Sequence, residues 1–228
     1  MKKKKVLIID LEGEITYDCY DKLKAVLDNV KPEAIILKLR SGGGGSAASG
    51  EIYDMLRHYR KQGKIIAYVA EEASSGALLI AMASNKIILN PSAEIGSIGV
   101  IFQIHKKEDY EDKDLVETQQ TGRHKDMFHG LRKWTETEKK MVSKILKEFH
   151  DVFCQIIINE REKISLEKLK KVADGRPLSP RQALEIGLVD QIGYFTDAEK
   201  EIFKLAKLSA DKVKVFTAKI SNKDEEEE

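Results

Sequence analysis

Hydrophobic residues follow two alternating periods along the chain, and this alternation is the main structural signal in the sequence. Short uninterrupted apolar runs are typical of buried strands. They lie at residues 6–10, 34–39, 64–69 and 86–89. Between these runs, apolar residues spaced by three or four positions predict amphipathic helices at 17–30 and 47–59. Strands that alternate with helices in units of about 25–35 residues predict an α/β fold.

The second half of the chain is predicted to be mainly helical. Its two remaining predicted strands, at residues 100–104 and 115–118, flank a short charged helix at 106–113. A capping box from Thr135 to Glu138 then opens a long helix. The predicted buried stripe of this helix consists of Val142, Ile145, Phe149, Val152 and Ile156.

Three shorter helices are predicted to complete this helical region. They begin near Ser165, after the N-cap Ser179, and near Asp197. We expect residues 1–208 to form a single domain and residues 209–228 to form a C-terminal extension. The acidic end of that extension, at 224–228, is predicted to be disordered.

The segment around Ser75 combines a strand, a tight turn and a buried helix. Ser74-Ser75-Gly76 separates the apolar run at 64–69 from a segment rich in Ala and Leu. A serine at this position has two roles open to it. As an N-cap it accepts a hydrogen bond from a free backbone N–H, and as a nucleophile it uses the same free N–H groups to hold an oxyanion.

Four consecutive glycines, Gly42 to Gly45, lie between a predicted strand and a predicted helix. This arrangement directs backbone N–H groups into a pocket, where they can bind a phosphate or an acyl oxyanion. The segment lacks the Lys-Ser/Thr of a P-loop, and its glycines do not follow the Gly-x-Gly-x-x-Gly spacing. An oxyanion hole and a flexible surface turn remain as the two interpretations.

Charge and cysteine content exclude several classes of protein. The chain has 39 Lys and Arg residues against 38 Asp and Glu residues, a formal charge of +1, so nothing indicates nucleic-acid binding. Cys19 and Cys154 lie far apart and predict neither a disulfide framework nor a metal site, and we expect no cofactor. The apolar run at 6–10 is too short for a signal peptide or a membrane span. We therefore expect a soluble chain, cytoplasmic or, if an upstream anchor has been removed, membrane-associated.

Two kinds of serine chemistry are open to the chain. A Ser/His/Asp triad would use His124 with Asp126, but triads usually take the base and its orienting acid from separate elements. The other histidines are His58, His105, His129 and His150. A Ser/Lys dyad would use Lys125, which lies in a segment bounded by glycines at 122 and 130. Its amine must be uncharged to accept a proton, which an apolar environment favours provided that Asp126 points away.

Five short motifs, in order, resemble those of the signal peptide peptidase A family of serine peptidases. They are Arg40-Ser41-Gly42-Gly43-Gly44-Gly45 with Ser49-Gly50-Glu51-Ile52-Tyr53; Ala73-Ser74-Ser75-Gly76; Gly96-Ser97-Ile98-Gly99-Val100; Gly122-Arg123-His124-Lys125-Asp126; and Ala173-Asp174-Gly175-Arg176 with Gly187-Leu188-Val189-Asp190. The similarity covers about Val6 to Phe203. The family's membrane anchor is absent from this chain, and Gly42 stands where the family has proline.

This resemblance implies a fold like those of the Clp protease and the crotonases, with repeated strand-strand-helix units and a long C-terminal helical region. It implies Ser75 as nucleophile, Lys125 as general base and Ser97 as the hydroxyl that orients the lysine. Backbone N–H groups of Gly43 or Gly44, together with that of Gly76, would form the oxyanion hole. It further implies peptide substrates such as remnant signal peptides, with small or apolar residues near the scissile bond, and a homo-oligomeric ring.

Other interpretations stay open beside this one. An acyl-CoA enzyme of crotonase type would use the glycine segment for a thioester oxyanion, and a non-catalytic scaffold would keep the ring without activity. A phage-type maturation protease is a variant of the peptidase hypothesis. Ser74 is a second candidate for the nucleophile.

Overall fold

The protein is described by a computed structural model for residues 3–104, 119–128 and 132–222. Within these ranges the strands are β1 (Lys4–Ile15), β2 (Ala34–Gly44), β3 (Lys64–Ser74), β4 (Lys86–Leu89), β5 (Glu94–Gly96), β6 (Pro177–Leu178), β7 (Gln191–Ile192) and β8 (Val213–Ser221). The α-helices are α1 (Tyr17–Val30), α2 (Ser46–Tyr59), α3 (Gly76–Ala81), α4 (Glu136–Glu160), α5 (Leu166–Lys170), α6 (Pro180–Ile186) and α7 (Phe195–Leu205). This mixed α/β architecture confirms the predicted fold class.

The described strands form one sheet, in the order β6-β5-β3-β2-β1-β8, with β4 paired to β3 and β7 paired to β4. Every pairing is parallel except that of β5 with β6. Parallel strands joined by helices bury both faces of a sheet, so their sequences read as continuous apolar runs. This is why the first four strands could be located from hydrophobicity alone.

Successive side chains of the central strands enter two separate cores. Leu7, Ile9 and Leu11 of β1 lie in a core with residues of α1, α2 and α3. Val6 points to the other face, where a smaller core contains Ala198 and Ile202 of α7. The alternation follows from the two-residue repeat of a strand, and it fixes the register of the sheet.

The chain divides into two compact units. The first is built from the segments that end at Gly99 and begin again at Phe153, and the second lies between Val100 and Val152. The sheet belongs to the first unit. Among the described residues, no helix combines the length and the apolar character needed to cross a membrane.

One prediction made for the second unit turns out differently. Residues 100–104 were predicted to be a strand, but they form no strand in the structure, and Ile101 and Phe102 are exposed. An apolar run becomes a strand only if another strand supplies hydrogen bonds, and β5 already pairs with β3 on one side and β6 on the other. The helix predicted at 106–113 and the strand predicted at 115–118 lie outside the described residues.

The long helix α4 begins as predicted, but most of its apolar stripe is not buried. Thr135 and Glu138 form the capping box, with the Thr135 N–H donating to Oε2 of Glu138 at 2.8 Å. Val142 is buried, whereas Ile145, Phe149 and Val152 are exposed by 43%, 49% and 59%. Helical periodicity identifies an apolar face without showing what covers it, so the prediction of a buried stripe was wrong for this chain by itself.

The C-terminal segment contributes a strand that the sequence did not reveal. Residues 213–221 of the predicted extension form β8, which pairs in parallel with β1 from Lys4 to Glu12. Only Val213 and Ile220 of this strand are buried. Because the other positions are exposed or half-buried, the apolar signal of this edge strand is weak. Residues 223–228, which include the predicted acidic tail, lie outside the described residues.

The contribution of β8 can be measured at Ile220, which is 1% exposed. Ile220→Ala should lower the free energy of unfolding by about 3 kcal/mol, because it removes buried methyl groups and leaves a cavity. Val215→Ala in the same strand is the matched control, since Val215 is 48% exposed. Denaturant titration of both variants gives the comparison, and equal midpoints would show that β8 does not dock as described.

Candidate active site

The predicted site residues of the first unit lie at the carboxyl ends of three neighbouring parallel strands. Strand β2 ends at Gly44, β3 at Ser74 and β5 at Gly96. In the ladder Ser41 lies beside Ala73, and Ser74 lies beside Gly96. The residues that follow or end these strands, namely Gly43, Gly44, Ser75, Gly76 and Ser97, therefore lie at one edge of the sheet.

Ser75 adopts a backbone conformation that L-residues rarely take. Its φ is 50° and its ψ is −118°, at the sharp turn between β3 and α3. The main chain holds this turn, since the Ser75 N–H donates to the Gly96 carbonyl at 3.0 Å and the Ser75 carbonyl accepts from Leu79 at 3.1 Å. Such strain costs about 1–3 kcal/mol and collects at functional sites.

The side chain of Ser75 does not cap the helix that follows it. Although Ser75 occupies the N-cap position of α3, its hydroxyl accepts no capping hydrogen bond. Of the two roles that the sequence left open, capping is therefore not observed. Ser75 is half-buried. The alternative nucleophile, Ser74, is buried and is the last residue of β3 that pairs with β5.

Two glycines allow the main chain around Ser75 to pack closely. Gly43 has a φ of 104°, and a Cβ at this position would lie 2.9 Å from both the Gly76 nitrogen and the Ser75 Cβ. A Cβ on Gly76 would collide with the hydroxyl of Ser49. A side chain at Gly43 would push β2 away from the Ser75 turn, and one at Gly76 would push against α2, so glycine is required for the packing rather than for flexibility.

The segment predicted as a glycine loop is partly strand. Gly43 and Gly44 are the last residues of β2, paired with Glu14 and Ile15 of β1. The Gly43 N–H donates to the Ser41 hydroxyl at 3.1 Å, and that hydroxyl donates to the Gly13 carbonyl at 2.6 Å. The Gly43 amide therefore already has an acceptor. Gly43 is buried, and Gly44 is exposed.

Ser97 lies directly after the residue that binds the Ser75 turn. It also has a positive φ, of 49°, and its N–H donates to the Arg176 carbonyl at 2.9 Å. Ser49 and the Arg176 carbonyl support this edge of the sheet, and both were missed as site residues. Ser49 stands in the quoted motif, but only the structure shows that its hydroxyl, bonded to the Gly45 carbonyl at 2.9 Å, faces Gly76.

The second unit holds Lys125 in a turn over residues 121–128, with its side chain exposed. Its neighbours His124 and Asp126 do not bind each other, although a Ser/His/Asp triad would need them as a pair. The His124 ring lies 3.0 Å from Glu138, and Asp126 binds Arg132 at 2.7 Å. His105 and His129 lie outside the described residues.

Pairing with Arg132 lowers the pKa values of two carboxylates in the second unit, those of Asp126 and Glu138. Hydrogen bonds from Arg132 are the main reason that the pKa values of Asp126 and Glu138 lie below their usual range. Both carboxylates are therefore ionised at neutral pH. Across the described part of the chain, no group of three or more His, Cys, Asp or Glu side chains could hold a metal ion.

Solved structures show which fold this sheet represents. A mutant of the 1510-N membrane-bound stomatin-specific protease, in complex with a substrate peptide, aligns with a TM-score of 0.62 over 97% of this chain and 95% of that chain, at 18% identity. A ClpP1 mutant from Listeria monocytogenes aligns with a TM-score of 0.55 over 85% and 93% of the two chains, at 20% identity. The chain has the Clp-protease-like fold.

Sequence relatives carry the assignment further. A putative protease of Synechocystis is 30% identical over 94% of this chain and 79% of its own length. A putative signal peptide peptidase SppA of Enterococcus faecium is 32% identical over 82% of this chain, and a probable protease SohB of Haemophilus influenzae is 31% identical over 89%. The chain spans 55% and 59% of the lengths of these last two relatives.

A protein-family model gives the same result over most of the chain. The model of peptidase family S49 matches residues 57–209, which include the Ser75 turn, Ser97 and Lys125. Together with the relatives and the fold, this match shows that the chain belongs to peptidase family S49 and is a serine peptidase.

Proposed function

We propose that this chain is an endopeptidase in which Ser75 is the nucleophile and Lys125 the general base. The observation that carries the proposal is the strained Ser75 turn, at the edge where three strands end, with a hydroxyl that makes no capping bond. A strained strand-to-helix turn that presents a serine is the arrangement used for nucleophilic attack in α/β hydrolases. Family membership favours a peptidase over an acyl-CoA enzyme.

The reaction follows from the roles of the two side chains. The Ser75 hydroxyl attacks the peptide carbonyl while the neutral Lys125 amine takes its proton. The ammonium then protonates the leaving amine, and water hydrolyses the acyl-enzyme with the same lysine as base. Ser97, adjacent to the residue that binds the Ser75 N–H, is proposed to orient the lysine through its hydroxyl.

Backbone donors are proposed to stabilise the tetrahedral oxyanion. The Gly43 N–H is bound by Ser41, which favours the Gly44 N–H as the donor from β2. The second donor is the N–H of Gly76, which opens α3 and so has no partner within the helix. Two such donors contribute several kcal/mol to transition-state stabilisation, since the loss of one typically costs about 2.7–4 kcal/mol.

The substrates are proposed to be peptides with small or apolar side chains near the scissile bond. Remnant signal peptides are such a class, and the Enterococcus faecium relative is named as a putative signal peptide peptidase. Gly43, Gly44, Gly76 and Ala77 leave little side-chain bulk at the proposed oxyanion site. A peptide main chain can therefore approach the Ser75 turn closely.

Substitution of the proposed dyad tests the function directly. Ser75→Ala and Lys125→Ala should each lower kcat/KM for peptide cleavage by about 10³-fold or more, because each removes a group needed in the transition state. A fluorophosphonate should label Ser75 in the wild type, as read by mass spectrometry. Lys133→Ala, outside the 121–128 turn, is the matched control and should keep full activity.

The opposite results separate the remaining interpretations. Undiminished cleavage by Lys125→Ala would exclude the Ser/Lys dyad. A folded wild type that neither cleaves a peptide library nor reacts with the fluorophosphonate would be a scaffold rather than an enzyme.

The strain at Ser75 gives a second prediction, which concerns stability. Ser75→Gly and Ser75→Ala are both expected to be inactive, but glycine adopts a φ of 50° without steric cost. Relief of about 1–3 kcal/mol of strain, less about 0.5–1 kcal/mol for the greater freedom of unfolded glycine, leaves Ser75→Gly about 1 kcal/mol more stable than Ser75→Ala.

Thermal unfolding of the two variants measures this difference. The same pair at Ser143, an exposed residue within α4, provides the control. There glycine should be the less stable of the two by about 1 kcal/mol, as in any regular helix. The same order of stability at both positions would contradict a strained Ser75.

We propose further that the chain assembles into a homo-oligomer, as its Clp-protease-like and S49 neighbours suggest. The support in this chain is the apolar face of α4 in the second unit. Met141, Ile145, Phe149 and Val152 form this face and are 40–59% exposed, although they follow the spacing of a buried stripe. A second copy of the chain would bury such a face, since exposed apolar patches of this kind mark interaction sites.

A charge placed on the α4 face should disrupt the assembly. Phe149→Glu is expected to reduce the mass measured by light scattering to that of a smaller species, because the interface would have to bury an unpaired carboxylate. Ser143→Glu adds the same charge on the opposite side of the helix and should leave the mass unchanged. Identical masses for the wild type and both variants would rule out this face as the interface.

A further inference from the structure

Asp126 directly follows the proposed general base, and its carboxylate is bound by a single arginine. The Arg132 Nε lies 2.7 Å from Oδ2 of Asp126, and the Arg132 Nη2 lies 2.9 Å from Oδ1. This is a bidentate pair, the strongest geometry available to these two groups. Gln120 adds a weaker bond to Oδ1 at 3.4 Å.

The same arginine is anchored to a buried carboxylate. Its Nη1 and Nη2 donate to Glu138 at 2.8 Å and 2.7 Å, and the Glu138 side chain is 1% exposed. A further bond joins Nη1 to the Lys133 carbonyl at 3.2 Å. All five N–H donors of the Arg132 guanidinium are thus occupied.

Glu138 in turn is fixed at the first turn of α4. It accepts from the N–H and the hydroxyl of Thr135 at 2.8 Å and 2.9 Å, and it lies 3.0 Å from the His124 ring. A continuous chain of contacts therefore runs from the start of α4 through Glu138 and Arg132 to Asp126. Every member of this chain belongs to the second unit.

The arrangement matters because a carboxylate is the group most harmful to a lysine base. An ionised carboxylate within about 4–6 Å of an ammonium group favours the charged form, which cannot accept a proton. Asp126 is ionised and adjacent in sequence to Lys125, so without a competing partner it would be such a group. The other titratable side chains of the turn are Arg123 and His124, and Arg132 and Glu138 are the charged groups bonded to the turn from beyond it.

We propose that Arg132 is a positioning residue for the general base. It binds the Asp126 carboxylate and keeps it from pairing with the Lys125 amine, and it ties the turn that carries this amine to the start of α4. The proposal rests on the proposed role of Lys125 as general base. Lysine could not replace the arginine, because a single ammonium cannot form two bidentate pairs at once.

The pH profile of Arg132→Ala tests the proposal. With Asp126 released to pair with Lys125, the acid limb of the kcat/KM profile should move to higher pH by about one unit or more. Activity at neutral pH should therefore fall by about tenfold or more and recover in part at alkaline pH. A merely structural role would lower activity by the same factor at every pH.

A double variant isolates the carboxylate. Asp126→Asn in the Arg132→Ala background removes the charge that Arg132 is proposed to restrain, so the acid limb should return towards its wild-type position. Arg123→Ala, which deletes a positive charge from the same turn, is the matched control, because Asp126 takes its side-chain hydrogen bonds from Arg132 and Gln120. It should leave the acid limb within a few tenths of a pH unit of its wild-type position. If Arg132→Ala fails to fold, Arg132→Gln, which retains a donor for Glu138, replaces it both in the single variant and in the double variant with Asp126→Asn.

The outcomes distinguish this inference from the proposed function. If Lys125→Ala is inactive while Arg132→Ala keeps the wild-type pH profile, or Asp126→Asn does not restore it, the role given to Arg132 is wrong and that of Lys125 stands. If Lys125→Ala retains full cleavage, the proposed function itself is wrong.

Discussion

The close packing of Gly43 against the Ser75–Gly76 main chain is the constraint on which the candidate site depends. Ser75 holds its strained conformation because its N–H is bonded to Gly96 and its neighbour Gly76 is pressed against Ser49 and β2. The strain is local, but three parallel strands and a helix maintain it. A large buried sheet can hold such a turn, because the energy of its two cores greatly exceeds the cost of one unfavourable residue.

The two units hold their candidate site residues in place by different interactions. In the first unit, backbone ladders and apolar burial position Ser75, Gly76 and Ser97, so these residues are fixed by the fold itself. In the second, polar contacts hold the turn that carries the exposed Lys125, with Arg132 bridging the carboxylates of Asp126 and Glu138. The proposed base, Lys125, is exposed among polar groups, so its neighbours can adjust it more readily than they can adjust the proposed nucleophile Ser75, which is built into a sheet edge.

Much of the fold was predictable from the sequence, because the central strands are buried on both faces and their apolar runs are continuous. The same rule explains the failures. Strand β8 exposes most of its side chains, so its pattern is hidden, while Ile145 and Phe149 show a buried pattern without being covered in this chain. For the candidate site, motif resemblance proposed Ser75, Gly76 and Lys125. It could not reveal that Asp126 pairs with a residue six positions away, since no periodicity links a turn to the irregular segment that precedes a helix.

Pairing between β1 and β8 has a consequence for how the sheet forms. The two strands come from distant parts of the chain, with Lys4 beside Val213. Until β8 docks, the edge of β1 from Lys4 to Glu12 carries unsatisfied main-chain groups, the kind of edge that recruits strands from other molecules. The pairing is a contact of very long sequence separation, which is slow to form. Chains in which β8 has not yet docked are therefore the form of this protein most vulnerable to aggregation.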